Sequence, residues 1–87
     1  MRIEFDPGAV DDLKKLDSPV QTRLFGFLRT RVAALDNPRS IGEAMSGARL
    51  GNYWKYRVGD WQLICDIQDE RIVLRVLRIG SRRDVYR

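Results

Sequence analysis

The residues best suited to chemistry in this sequence are its arginines. They make up 13 of the 16 basic residues, whereas the chain contains no histidine. An arginine side chain presents a planar, permanently charged fork of hydrogen-bond donors that matches a phosphate. Without histidine the commonest general acid–base catalyst is missing, and one cysteine is too few for a zinc site. Partners that carry phosphates or acidic side chains are therefore the candidates.

One reaction suits these side chains, namely attack of a ribose 2′-hydroxyl on its own adjacent phosphodiester. The nucleophile and the electrophile are already joined, so a protein has mainly to align them, neutralise the developing charge and assist proton transfer. Arginines can supply the first two functions. A lysine or tyrosine whose pKa is lowered by neighbouring cations can serve in proton transfer.

Three segments with the period-two pattern of β-strands carry these groups: "YWKYRV" (53–58), "WQLICDI" (61–67) and "RIVLRVLRI" (71–79). With two-residue turns at 59–60 and 69–70, alternation predicts one apolar face, formed by Trp54, Tyr56, Val58, Trp61, Leu63, Cys65, Ile67, Ile72, Leu74 and Val76. The opposite face collects Tyr53, Lys55, Arg57, Gln62, Asp66, Arg71 and Arg75. Clustered cations favour an anion-binding surface, and the ordinary alternative is a solvated outer face.

The segments before these strands predict a short strand and a helical hairpin. "RIEF" (2–5) is the strand, and the helices begin at Asp6-Pro7 and Ser18-Pro19, where each capping residue precedes a proline and Gln21 completes a capping box. Residues 36–40 end the second helix at a proline. No repeat or linker interrupts the chain. Residues 1–87 therefore form one α+β domain of order β-α-α-β-β-β, with the hairpin packed on one face of a mainly antiparallel twisted sheet and strand 2–5 at an edge.

Composition adds expectations about location and partners. Residues 1–48 contain seven basic and seven acidic residues, whereas residues 49–87 contain nine and five, so the net charge of +4 lies in the second half. The single cysteine, Cys65, falls on the predicted core face and is interpreted as structural. No segment has the pattern of a signal peptide or a membrane span, which predicts a cytoplasmic protein with no membrane partner.

Three segments carry a resemblance to a known family: "YRVGDWQLI" (56–64), "RIVLRVLRIG" (71–80) and "GSRRDVYR" (80–87). With the order of elements, they resemble the RelE toxins of bacterial type II toxin–antitoxin systems, in the RelE/ParE superfamily. The resemblance covers essentially the whole chain. It implies an endoribonuclease, or mRNA interferase, that cleaves mRNA in the ribosomal A site without metal or other cofactor and inhibits translation. It also implies a cognate RelB-like antitoxin, acidic and partly disordered, and operator DNA reached only through the antitoxin complex.

The resemblance also assigns residues. The expected catalytic residues are Lys55, Arg57, Arg82 and Tyr86. Arg82 matches an arginine tied to phosphate stabilisation, and Tyr86 matches a tyrosine that stacks on the target base and assists proton transfer. The expected RNA-binding residues come from the predicted cationic face and the basic tail, and are Tyr53, Gln62, Arg75 and Arg83. No residue is expected to bind a metal.

Two positions depart from the family pattern and keep other functions open. Gln62 stands where the related hairpin usually has arginine, and Ser81 stands where many relatives have histidine. Both departures remove cationic or acid–base capacity. The alternatives are a ParE-like toxin that binds DNA gyrase, and a catalytically weakened member that retains only antitoxin binding.

Overall fold

The structure of the protein is a computed structural model, and it describes residues 1–45 and 53–81. The main elements are β1 (Arg2–Phe5), α1 (Pro7–Lys14), α2 (Ser18–Gly26), β2 (Glu43–Ala44), β3 (Tyr53–Val58), β4 (Trp61–Gln68) and β5 (Val73–Ser81). A π-helical segment, Phe27–Val32, continues α2, and short 3-10 turns occupy Pro38–Ser40 and Asp69–Arg71. The predicted α+β order is confirmed, with β2 as an additional strand. No helix within the described ranges is long and apolar enough to cross a membrane.

All five strands belong to one sheet, in the order β1-β5-β4-β3-β2. The three segments with the period-two pattern form β3, β4 and β5, which are antiparallel neighbours as predicted. Val58 lies opposite Trp61 across a two-residue turn, where Gly59 has φ 60° as such turns require. β1 lies at one edge and pairs in parallel with β5, so the predicted edge position is confirmed. The opposite edge is β2, which the sequence pattern does not reveal because it has only two residues.

The connection between β4 and β5 is longer than the predicted two-residue loop at 69–70. Gln68 pairs with Val73, so the connection includes Ile72, which has a left-handed backbone with φ 54°. Ile72 is 67% exposed, and its prediction on the apolar face is therefore wrong. Leu74 and Val76 do lie in the core, because a register shift of two residues leaves every side chain on its original face.

The starts of the two helices differ from the predicted caps. Asp6 precedes α1 as predicted, but its side chain makes no capping bond. At α2 the cap is Asp17, whose carboxylate accepts a hydrogen bond from the Val20 amide at 3.2 Å, and Ser18 is already helical. The Gln21 side chain does not complete a capping box. It donates instead to the Leu13 carbonyl at 2.6 Å, which ties α2 back to α1.

The core lies between the helices and one face of the sheet. Its helical members are Ala9, Leu13, Leu24, Leu28 and Val32, and its strand members are Tyr56, Val58, Leu63, Cys65, Ile67, Leu74, Val76 and Ile79. Trp54 and Trp61 are partly buried against this cluster. The interpretation of Cys65 as a core residue is confirmed, since it is fully buried, and burial raises the pKa of its thiol.

A buried carboxylate, that of Asp12, fixes α1 to β5. One oxygen accepts hydrogen bonds from Arg78 Nε at 2.9 Å and from the Ile79 amide at 2.8 Å, and the other accepts from Arg78 Nη2 at 3.2 Å. Arg78 lies at a β-bulge, where the register of β5 against β4 slips at Ile64/Cys65. A bulge re-aims side chains, and this one lets Arg78 reach the helix.

Candidate functional site

Two of the predicted catalytic residues, Lys55 and Arg57, lie side by side on β3, on the face away from the helices. The carboxylate of Glu43, on the edge strand β2, contacts both. Its Oε1 is 3.3 Å from Lys55 Nζ and 3.0 Å from Arg57 Nη2. We name Glu43, Lys55 and Arg57 the Glu43 cluster. Its geometry follows from the register, because Glu43 lies directly opposite Lys55.

Exposure differs strongly within the Glu43 cluster. The side chain of Lys55 is 10% exposed, whereas those of Arg57 and Glu43 are 48% and 52% exposed. A molecule arriving from solvent would therefore meet the Arg57 guanidinium and the Glu43 carboxylate first, and Lys55 lies behind them. Tyr53, at the start of the same strand, is partly buried and shares this face.

Acids from the edge strands neutralise the cations of this face, which the sequence pattern did not predict. Glu43 from β2 pairs with the β3 cations, and Glu4 from β1 contacts Arg75 at 3.4 Å and Arg71 at 3.6 Å. Asp66 was the one acid among the residues that the sequence pattern assigned to this face, and the structure adds Glu43 and Glu4. The reason is that β1 and β2 bring in carboxylates from segments distant in sequence.

Arg75, predicted to bind RNA, lies apart from the Glu43 cluster. It is on β5, two strands from Arg57, and its guanidinium contacts Asp6 Oδ1 at 2.8 and 3.1 Å. The hydrogen bond to Asp6 raises the pKa of Arg75, and the charge of Glu4 adds to the effect. The same Asp6 carboxylate makes no capping bond to α1.

Gln62 lies beside the Glu43 cluster, opposite Arg57 on β3 and Gly80 on β5. It is 1% exposed, and its side-chain oxygen has no hydrogen-bond partner within residues 1–45 and 53–81. Contact with RNA, as predicted for this residue, would require the residues around it to move. A buried acceptor without a partner also lowers the stability of the fold.

Replacing Gln62 by leucine is expected to raise the free energy of unfolding by about 1 kcal/mol, because it removes the buried acceptor at similar volume. Urea denaturation of the two proteins measures the difference. Gln62→Ala is the control, since it removes the same oxygen but leaves a cavity that costs about 2 kcal/mol or more. A leucine variant less stable than the parent would mean that the amide has a partner that stabilises the fold.

The remaining predicted residues Arg82, Arg83 and Tyr86 lie outside the described residues. β5 ends at Ser81, opposite Trp61. Among the described tyrosines, Tyr56 is unsuited to proton transfer, since its hydroxyl donates to the Pro38 carbonyl at 2.5 Å and burial raises its pKa far above the ordinary value. In the described ranges, no group of three or more acidic, cysteine or histidine side chains could hold a metal ion.

Glu43 is the site residue that sequence reasoning missed. It falls in the connection "SIGEAM" (40–45), which shows no strand periodicity. One signal was present, namely Gly42 before it. Gly42 has φ 82°, and a Cβ there would lie 2.5 Å from Trp54 Nε1, so the chain turns sharply against β3 at this point.

Comparison with known proteins agrees with this architecture. A family model described as the ParE toxin of the type II toxin–antitoxin system parDE matches residues 3–86. None of the curated protein sequences matches the chain.

Three solved structures illustrate the similarity of fold. A chain of the RelBE2 toxin–antitoxin complex from Mycobacterium tuberculosis has a TM-score of 0.83 at 24% identity, covering 95% of this chain and 92% of that one. The isolated RelE toxin of Escherichia coli gives 0.70 at 21% identity, with 98% and 89% covered. A chain of the RelE–RelB complex from the archaeon Pyrococcus horikoshii gives 0.71 at 21% identity, with 93% of each covered.

The family match spans nearly the whole chain, and the structural matches share its helices and sheet. The superfamily expected from the sequence is thereby confirmed, and the matching family model is that of ParE, which Gln62 and Ser81 had left open as an alternative. The chain belongs to the ParE toxin family, within the RelE/ParE superfamily of type II toxin–antitoxin toxins.

Proposed function

We propose that this toxin is a ribosome-dependent endoribonuclease that cleaves mRNA in the A site. The observation that carries the proposal is the convergence of Lys55 Nζ and Arg57 Nη2 on one carboxylate oxygen. Two cations arranged around one anionic oxygen form a site that also suits a phosphate oxygen. The similarity of the fold to that of RelE chains adds support.

The proposed mechanism needs only side chains of this chain. Arg57 and Lys55 would hold the scissile phosphate, and Arg82 would neutralise charge that develops on it in the transition state. The 2′-hydroxyl gives its proton to a water molecule, its oxygen bonds to phosphorus, and the bond from phosphorus to the 5′-oxygen breaks. That leaving oxygen takes a proton from the Tyr86 hydroxyl, our proposed donor, and Tyr86 regains a proton from solvent. The products are a 2′,3′-cyclic phosphate and a 5′-hydroxyl, and no metal or cofactor is assigned a role.

The second candidate function is inhibition of DNA gyrase. Two observations favour it, namely the match to the ParE family model and the buried amide of Gln62 at the position where the ribonuclease pattern has a cation. A gyrase inhibitor is a binding protein and needs no nuclease residues. A third reading, a weakened member that retains only antitoxin binding, follows if both activities are absent.

The proposed partner in either case is a RelB-like antitoxin. The similar structures include toxin–antitoxin complexes. An acidic, partly disordered antitoxin that folds on binding would be attracted by the chain's net charge of +4. We expect one of its segments to cover part of the β3 face or to displace the tail that carries Tyr86. Operator DNA would be contacted only through the complex, and the expected location is the cytoplasm.

Primer extension on programmed ribosomes tests the proposal. Purified protein is added to 70S ribosomes with a defined mRNA codon in the A site, and in parallel to the same mRNA without ribosomes. Cleavage within the A-site codon, dependent on ribosomes and absent in an Arg82→Ala, Tyr86→Phe double variant, is the expected result. A folded protein that leaves the mRNA intact but inhibits supercoiling by gyrase would establish the second candidate. Inactivity in both assays would leave antitoxin binding.

A further inference from the structure

The carboxylate of Glu43 occupies the position at which a phosphate would meet Lys55 and Arg57. Both nitrogens approach the same oxygen, at 3.3 and 3.0 Å, which are hydrogen-bonding or close ion-pair distances. A phosphate and this carboxylate therefore compete for the same two cations. We infer that Glu43 is a built-in competitor of the ligand anion, and that its carboxylate must leave the Glu43 cluster before an RNA phosphate can enter.

The Glu43 side chain is free enough to leave. It is 52% exposed, so it can rotate into water without opening the core. The contrast with Asp12 is clear, because that carboxylate is 11% exposed and is held by a buried backbone amide as well as by Arg78. The Asp12 carboxylate is therefore held in place by the backbone of β5, whereas the Glu43 carboxylate contacts the side chains of Lys55 and Arg57 at the sheet edge.

The backbone around Glu43 is anchored independently of its carboxylate. Trp54 Nε1 donates to the Ile41 carbonyl at 2.8 Å on one side, and the Met45 amide donates to the Tyr53 carbonyl at 3.0 Å on the other. The strand β2 can therefore stay paired with β3 while the carboxylate rotates outward. The competition is a matter of one side chain and does not require the edge strand to detach.

The inference concerns the regulation of the proposed RNA site, and its identification of the anion as RNA phosphate rests on the proposed function. If Glu43 blocks the cations for most of the time, the apparent affinity for an anion is reduced by the fraction of time the site is open. Removing the negative charge should restore the full affinity. Glutamine retains the shape and one acceptor oxygen, so Glu43→Gln changes the charge with little change in packing.

The test measures anion binding, independently of cleavage and of ribosomes. Inorganic pyrophosphate is titrated into the parent protein and into Glu43→Gln at low salt, and the NMR signal of the Arg57 Nε–H group is followed. We expect Glu43→Gln to bind about tenfold more tightly, as for a site that is closed roughly nine-tenths of the time. Affinities equal within twofold, including no binding by either protein, would overturn the inference.

Glu70→Gln is the matched control. Glu70 lies in the exposed turn between β4 and β5, and its replacement removes the same charge from the protein as a whole. A tenfold gain confined to Glu43→Gln identifies local competition, whereas equal gains in both variants reflect net charge alone and would overturn the inference. Circular dichroism melting curves confirm that all three proteins are folded. If pyrophosphate binds more tightly to Glu43→Gln but no mRNA is cleaved on ribosomes, the competitor role stands and the ribonuclease proposal fails.

Discussion

Replacing Arg57 by alanine is expected to lower the rate of the proposed ribosome-dependent mRNA cleavage by about two orders of magnitude, the usual cost of removing one donor that stabilises transition-state charge. Arg57 is the cation of the Glu43 cluster that solvent reaches, with 48% of its side chain exposed. Its ion pair with Glu43 is at the surface and is worth about 0–1 kcal/mol. The loss of activity should therefore occur in a protein of nearly unchanged stability, as measured by primer extension and by thermal melting.

Arg71→Ala is the matched control for this experiment. Arg71 is also an exposed arginine beside the sheet, with 53% of its side chain accessible and an acid, Glu4, at 3.6 Å. It lies outside the Glu43 cluster, so its removal should change cleavage by less than about threefold, through long-range charge alone. Equal losses in the two variants would mean that the cleavage depends on overall positive charge, and no loss in Arg57→Ala would remove this residue from the mechanism.

Replacing Asp12 by alanine is expected to lower the free energy of unfolding by about 3 kcal/mol, because it leaves the buried Ile79 amide without an acceptor and breaks two charge-assisted bonds from Arg78. The contact joins α1 to β5, which itself pairs with both β1 and β4, so its loss affects the whole domain. Urea denaturation measures the change. Asp11→Ala is the control on the same helix, since Asp11 is exposed and its replacement should cost less than about 0.5 kcal/mol.

The contribution of Asp12 should also depend on pH. Burial by itself raises the pKa of this carboxyl, but hydrogen bonds from Arg78 and the Ile79 amide, with the charges of Arg78 and Lys15, outweigh it, and the pKa is lowered. A carboxyl whose pKa is lower in the folded chain stabilises the fold fully when the pH is above its pKa in the unfolded chain, which is about 4. That stabilisation is lost as the pH falls through the pKa of the folded chain. The stability difference between the parent and Asp12→Ala should thus be full at pH 7 and should shrink below about pH 4. A difference that does not change down to pH 2 would contradict this account.

The sequence predicted the fold wherever a residue pattern repeats over several positions. The alternation in 53–58 and 61–67 predicted the register of β3 against β4 pair by pair, and the prolines at 7 and 19 located both helix starts to within a residue. Patterns that occupy one or two residues were missed. The two-residue strand β2 has no periodicity, and the longer turn before β5 depends on Ile72 adopting a conformation that is uncommon for a branched side chain.

Only the part of the candidate site that depends on a repeating residue pattern was predicted from the sequence. Alternation along β3 puts Lys55 and Arg57 on one face from sequence alone, and the structure agrees. The acids that neutralise the face come from β1 and β2, whose pairing partners are far away in the chain, so no local pattern could reveal them. The burial of Gln62 likewise depends on tertiary packing, because its position in the alternation marks it as an outward-facing residue.

The position of β5 in the sheet determines when the chain can fold during its own synthesis. β1 emerges from the ribosome first, but its partner is β5, with Arg2 opposite Val73, and α1 is fixed to the same strand through Asp12. Because synthesis proceeds at about 5–20 residues per second, several seconds pass between the synthesis of β1 and α1 and that of β5, the strand with which they pack. A nascent fragment that ends before β5 lacks the strand that joins β1 to β4. The sheet can therefore be completed only after β5 has left the exit tunnel, so incomplete chains of this protein should lack the folded toxin domain.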